Sequence, residues 1–318
     1  MKKAILLATL SVVFVAGCTQ MDITNIIQTT NTVMGGTGLV ITDFAADQLE
    51  VYGGQTDRIM MTVSNKGGYA VPEEEALVYL IGSIKLDGDE TMYWTGEDEE
   101  VIKSLEKTMD PADPVRDTPA DEKTVSWSLT APTVAKGDQI PYRFTGRVYS
   151  NYQTRITGNV WVYSESEADA ARASGTTLNR ATWSATAGPV AITARLSQDP
   201  VVLYEGDKQM TLIIKISNAG SGVIYDKDAI TDYSTAGPED LKLTSDQIYK
   251  VYVSGNVAGV DLPDSCSGEQ ELVGGKDLTL ACDIDVTAPP TFEVVPITIT
   301  AEYGYYSERS TEVVVSGR

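Results

Sequence analysis

The residues able to do chemistry are few in kind. The chain of 318 residues carries three cysteines (Cys18, Cys266 and Cys282), 45 Asp and Glu, and no histidine. Without histidine the Ser-His-Asp triad, the Cys-His dyad and most zinc sites are out of reach. Ser104-Leu105-Glu106-Lys107 has the Ser-x-x-Lys spacing that can set a serine nucleophile beside a lysine, but it lacks a Lys-Thr-Gly partner, and Lys107-Thr108-Met109 is the nearest approach. Asp87, Asp89 and Glu90 are the candidate calcium ligands, since hard cations take carboxylate oxygens. Their order does not follow an EF-hand loop, and a run of like charges reads as a solvated face, so neither a metal nor another cofactor is expected. Two carboxylates for glycoside hydrolysis can always be drawn from 45 acids, yet such a pair needs a rigid cleft that raises one pKa.

Whatever chemistry remains has to be positioned by a chain of strongly acidic character. Lys and Arg number 24, the formal charge is −21, and the pI is near 4.3. Nucleic-acid binding is thereby excluded, because phosphate contacts need clustered basic side chains. A hydrophobic content of 42% is enough to build a packed core.

The N-terminus reads as an export signal. Met1-Lys2-Lys3 precedes an apolar run over residues 4–16, about 20 Å as a helix and too short for a bilayer core of about 30 Å. Val15-Ala16-Gly17-Cys18 resembles the prokaryotic lipobox, which implies that residues 1–17 are removed and that Cys18 carries lipid. Cleavage would take away Lys2 and Lys3 but no carboxylate, so the mature chain is more acidic still and should stand off an anionic leaflet. Residues 18–37, rich in Thr and ending in Gly35-Gly36-Thr37, read as a flexible tether. The expected location is the outer face of the cytoplasmic membrane or the cell envelope. In that oxidising setting Cys266 and Cys282, the thiols left over, are expected to form a structural disulfide.

Beyond the tether one β module is used twice. Arg58-Ile-Met-Met-Thr-Val-Ser-Asn-Lys-Gly67 is answered by Thr211-Leu-Ile-Ile-Lys-Ile-Ser-Asn-Ala-Gly220. Ile59, Met61 and Val63 share the phase of Leu212, Ile214 and Ile216, the alternation of a strand with one buried face. Thr130-Ala131-Pro132 recurs as Thr287-Ala288-Pro289, and Pro141 and Pro296 each precede a further strand. Several short alternating strands between Gly, Pro, Asn and Asp turns predict an all-β chain of two tandem Ig-like antiparallel sandwiches. The first spans 38–187, with an acidic insert at 87–123 and a short linker helix at 165–174. The second spans 188–318 and holds the disulfide. Within the insert, spacing of Val101, Leu105 and Met109 predicts one amphipathic helix over 98–109.

Tyrosine outnumbers phenylalanine sixteen to four, and its runs mark the candidate contact surface. Tyr149 and Tyr152 with Arg155, and Tyr303, Tyr305 and Tyr306 with Arg309, are read as two tyrosine-rich turns beside the last strands. A tyrosine at a loop tip offers an apolar face with a hydrogen-bonding end, whereas a corner tyrosine bonds back to its own backbone.

Leu203-Tyr204-Glu205-Gly206-Asp207, the strand 210–218 and Gly220 resemble the CARDB-like, Ig-like modules of archaeal and bacterial surface proteins. That resemblance implies an extracellular, non-catalytic module for spacing, adhesion or assembly, with the membrane (through the anchor) and other surface proteins or glycans as partners. Two other functions remain open: a glycan- or solute-binding lipoprotein, and a hydrolase accessory domain. A concave aromatic-lined pocket would favour the former, and a buried carboxylate pair the latter.

Overall fold

The computed structural model describes residues 38–85, 93–96, 101–204, 206 and 208–318. The signal, Cys18, the tether and the calcium candidates Asp87, Asp89 and Glu90 lie outside the described residues. The described chain is all-β. The first repeat opens with β1 (Leu39–Ala46), β2 (Glu50–Tyr52) and β3 (Thr56–Asn65). It continues through β4 (Ala76–Ile81), β5 (Ile84–Lys85), β6 (Trp94–Gly96) and β7 (Ile102–Ser104) to β8 (Glu122–Thr130) and β9 (Gln139–Ser164). A helix, α1 (Glu165–Ser174), and β10 (Thr182–Ala185) lead to β11 (Val190–Leu196), β12 (Val201–Leu203) and β13 (Gln209–Asn218). Then come β14 (Val223–Tyr225), β15 (Lys250–Val257), β16 (Val260–Asp261), β17 (Gly268–Glu271), β18 (Asp277–Asp285) and β19 (Phe292–Ser316).

The helix occupies the span its sequence predicts, for local reasons. The Ser164 hydroxyl accepts from the Glu167 N–H, Glu165 and Glu167 sit in the first turn, and Gly175 takes the left-handed conformation (φ 71°) just past the end.

The repeated strands β3 and β13 are the middle strands of two facing sheets. β3 lies between β1 and β8, with β6 and β5 beyond, and β13 lies between β11 and β18. Ile59, Met61, Val63, Leu212, Ile214 and Ile216 are all fully buried, as a strand with one core face requires. Both sheets pack against one large sheet whose spine is β9 and β19. These strands pair antiparallel without a break, from Gln139 opposite Ser316 to Tyr163 opposite Phe292. At about 3.3 Å per residue the ladder runs for about 80 Å.

Each long strand serves both sandwiches. The early half of β9 covers the β1–β3–β8 sheet: Gly146 sits where a Cβ would collide with Met61 and Phe44, and Trp94 meets Phe144 edge-on at 5.3 Å. Its later half pairs with β10 and, in parallel, with β12. β19 runs the other way, beginning beside β15 and ending parallel to β2 of the first repeat, with Val314 opposite Glu50. The closing strand of each repeat thus finishes in the other repeat's sandwich. Buried side chains from Leu39 to Val315 form one cluster, and the described residues make one compact unit. The connector expected to separate two modules is clamped between them. The Ala187 carbonyl accepts from Gly68 N–H at 2.9 Å, and Gly188 lies against Thr154 and Tyr303 with no room for a Cβ.

Two local expectations are corrected. Where residues 98–109 are predicted as a helix, the described part, 101–109, is extended: β7 adds to the edge of β4, and Met109 bridges Val71. Leu105 and Met109 are fully buried, so the apolar spacing serves a strand and a loop instead. The two tyrosine-rich runs are not turns either. They lie in the middle of β9 and β19, opposite one another, with Tyr149 facing Tyr306 and Tyr152 facing Tyr303.

The Cys266–Cys282 disulfide is formed, with 5.9 Å between Cα atoms and neither residue exposed. It ties the loop after β16, on the large sheet, to β18 of the facing sheet. Replacing both cysteines by alanine is expected to lower unfolding free energy by about 3 kcal/mol, the loop-closure value for this spacing. Urea unfolding of the double variant under oxidising conditions checks this, and a reductant should leave the variant's midpoint unmoved.

Candidate functional site

Period-two alternation along β9 sorts its side chains onto two faces of the large sheet. Tyr142, Phe144, Val148, Tyr152 and Ile156 point into the sandwiches, whereas Arg147 and Tyr149 project from the opposite, outer face. Registers extend these into rows across four strands. Leu77 of β4 lies beside Tyr149, then Tyr306 of β19, then Val223 of β14; the next row is Tyr79, Arg147 and Glu308.

This outer face carries a second core. The connection between β14 and β15, residues 226–249, folds across it and lays Ile230, Tyr233 and Leu241 on Leu77, Tyr149 and Tyr225. Tyr225 lies flat because its neighbour across the ladder is Gly304, where any Cβ would collide with the Tyr225 ring. The phenols are tied in series. The Tyr225 and Tyr233 hydroxyls share a hydrogen bond at 2.9 Å, and Tyr233 donates to Asn151 Oδ1 at 2.9 Å. The Tyr149 hydroxyl donates to the Leu241 carbonyl at 3.4 Å and accepts from Arg147 Nη1 at 3.3 Å. Arg147 Nε donates to Glu308 at 2.7 Å, while the guanidinium carbon lies 4.9 Å from the centre of the Tyr306 ring. Burial works against the Arg147 charge, but its bonds to Tyr149 and Glu308 prevail and push its pKa upward.

At the rim of the covering connection the sheet is left open in a hollow of about 540 Å³. Tyr149 and Leu241 form its floor, and Tyr79, Tyr306, Tyr249 and Arg147 its walls. The wall residues are partly exposed. This volume falls within the range of about 300–1,000 Å³ usual for small-molecule sites.

Of the seven residues expected to form a contact surface, Tyr149 and Tyr306 reach this site. Tyr152, Tyr303 and Tyr305 are interior on the other face. The Tyr303 hydroxyl bonds with Thr154 at 2.7 Å and accepts from Val190 N–H at 3.1 Å. Tyr152 donates to Asn65 Oδ1 at 3.4 Å and Tyr305 accepts from Gly222 N–H at 2.6 Å. All three are at most 5% exposed, so they brace the connectors and cannot meet a partner. Arg155 and Arg309 are exposed but stand apart from the hollow, Arg309 donating to the Thr42 carbonyl at 2.7 Å. Sequence reasoning missed Arg147, Tyr79 and Tyr249. The alternation of β9 links Arg147 to Tyr149, but nothing local links either to Tyr249.

The other chemical candidates are accounted for within the fold. The Ser104 hydroxyl accepts from Glu106 N–H at 3.0 Å, and Lys107 Nζ donates to Asp121 at 2.9 Å, so each side of the Ser-x-x-Lys pattern is engaged elsewhere. Among the described residues no group of three or more His, Cys, Asp or Glu could hold a metal ion.

No family model matches the chain, and no curated protein matches it. Similarity to solved structures is low. Red sea bream transglutaminase aligns at TM-score 0.19 and 9% identity over 89% of this chain and 32% of its own. The secreted serine protease VesC of Vibrio cholerae aligns at TM-score 0.21 and 9% identity over 87% of this chain and 51% of its own. The Enterococcus faecalis MSCRAMM ACE aligns at TM-score 0.19 and 8% identity over 91% of this chain and 98% of its own. The chain thus spans about a third of the transglutaminase and about half of the protease. Likeness of this degree assigns no activity.

The buried phenols give the fold an alkaline limit. Burial first of all pushes Tyr152 up to about 12, and shifts Tyr149, Tyr225, Tyr233 and Tyr303 in the same direction. An unfolded tyrosine releases its proton near pH 10 (about 10 by model peptides), so above that pH the unfolded chain holds fewer protons than the folded one. Stability present below about pH 10 is therefore lost as pH rises toward 12. The urea midpoint should fall through this window, with phenolate absorbance of the buried tyrosines emerging together with loss of near-ultraviolet circular dichroism.

Proposed function

We propose that the protein is a non-catalytic, lipid-anchored protein of the cell surface, with a structural or adhesive role exercised through its Ig-like modules. The observation that carries this reading is the unbroken ladder of β9 and β19. Two sandwiches sharing a continuous spine cannot hinge as beads on a string do, because bending at their junction would break ladder bonds and expose the clamped connector. A stiff body on a tether suits a spacer or a display element better than an enzyme that must close on its substrate.

Compartment and charge support the same reading. A disulfide between two buried cysteines fits an oxidising environment. No helix among the described residues is long and apolar enough to cross a membrane, and the anchor in this proposal is the lipid on Cys18. Its expected partners are surface proteins or glycans, and the acidity of the chain disfavours nucleic acid.

Detergent-phase partition of the wild type and of Cys18→Ser checks the anchor. The wild type should enter the detergent phase and be cleaved by protease added to intact cells, and the variant should move to the aqueous phase. A wild type found in the aqueous phase, or shielded from external protease, would overturn the anchored reading. For the structural role, pull-down from native membranes should recover a defined surface partner; recovery of the protein alone opposes assembly.

A further inference from the structure

We propose that the hollow on the outer face, walled by Tyr79, Tyr249, Tyr306 and Arg147, is a binding site for a neutral oligosaccharide. This goes beyond the structural role and does not depend on the lipid anchor.

The character of the lining supports this. The phenol oxygens of Tyr79, Tyr249 and Tyr306 have no hydrogen-bond partner among the described residues, although all three rings are partly buried. Such groups retain free donors and acceptors at the tips of flat apolar faces. Arg147 has five N–H donors, of which the bonds to Glu308 and Tyr149 engage two, so further donors remain beside the hollow. A sugar ring presents the matching surface: C–H faces that stack on an aromatic plane, and hydroxyls at the edge that both donate and accept.

Charge decides against an acidic ligand. Arg147 is paired with Glu308 at 2.7 Å, and Lys242 at the rim with Glu239 at 2.6 Å, so each cation of the lining is already matched by a carboxylate. A uronate or sulfated chain would also approach a protein of formal charge −21 against its field. The floor is pre-organised, since Tyr149 is held by Arg147 and Leu241 and packed 5.1 Å from the Tyr306 ring. Binding therefore orders little that is not ordered already.

Calorimetric titration of the full-length chain in detergent with neutral hexaoses of glucose, mannose and N-acetylglucosamine tests the proposal, with polygalacturonate as the acidic comparison. At least one neutral hexaose should bind saturably. Tyr79→Ala and Tyr249→Ala should each weaken that binding about tenfold or more, while Tyr52→Ala, which removes an exposed tyrosine outside the hollow, leaves it unchanged. If an alanine variant fails to fold, Tyr79→Phe and Tyr249→Phe keep ring and packing, and each should lose a few-fold through the missing hydroxyl. Absence of binding by all three hexaoses overturns the proposal. So does affinity untouched by the hollow variants, or binding of polygalacturonate alone. None of these outcomes bears on whether Cys18 anchors the chain.

Discussion

The pairing of β9 with β19 is the constraint from which the remaining architecture follows. A ladder that continues past the end of one sandwich commits both strands to the next, because stopping it midway would strand backbone N–H and C=O groups between two cores. Each repeat therefore surrenders the end of its closing strand to the other. The small strands β2 and β12 complete the exchange in parallel pairing, the arrangement open to a segment that reaches the far edge from the opposite direction. The connector at 186–189 crosses the inner face of the long strands, which accounts for Gly188 against Thr154 and Tyr303 and for the Tyr303 hydroxyl receiving the Val190 N–H.

A continuous sheet also creates a face that neither sandwich covers. Leu77, Tyr149 and Tyr225 on that face would form an exposed apolar patch, and the connection 226–249 supplies Ile230, Tyr233 and Leu241 to bury it. The buried phenols are satisfied in series through Asn151, Leu241 and Arg147, as polar tips inside a core must be. The hollow is what remains where that cover stops short of Tyr79 and Arg147.

The two tyrosine runs illustrate how one-residue phase governs the outcome. Tyr149 and Tyr303 each open a run of similar appearance, yet Tyr149 projects outward toward the second core and Tyr303 inward toward Val190. The repeat keeps the phase of β3 and β13 here, since Tyr152 and Tyr305 both point inward and accept from the N–H of Tyr69 and of Gly222. Tyr149 and Tyr303 match only in appearance, and a match that is off by one residue changes the face of every side chain. Composition and turn patterns cannot register this, since both faces happen to be covered. The segment 101–109 failed as a helix for a related reason: apolar residues four apart also suit an extended edge whose alternate contacts come from β4 and from the Val71 bridge.

What the amino-acid sequence determined by itself is local. Alternation in β3 and β13, the Ser164 and Gly175 caps around α1, and the thiols that pair in an oxidising compartment each depend on neighbours within a few residues or on the count of a residue type. Tertiary structure decided which strands share a sheet, which face each tyrosine takes, and that Tyr79, Arg147, Tyr249 and Tyr306 meet at one hollow. Those outcomes rest on pairing between segments distant in the chain, such as Tyr79 with Arg147 and Arg147 with Glu308. Register there is chosen by the fit of whole faces, which no single segment encodes.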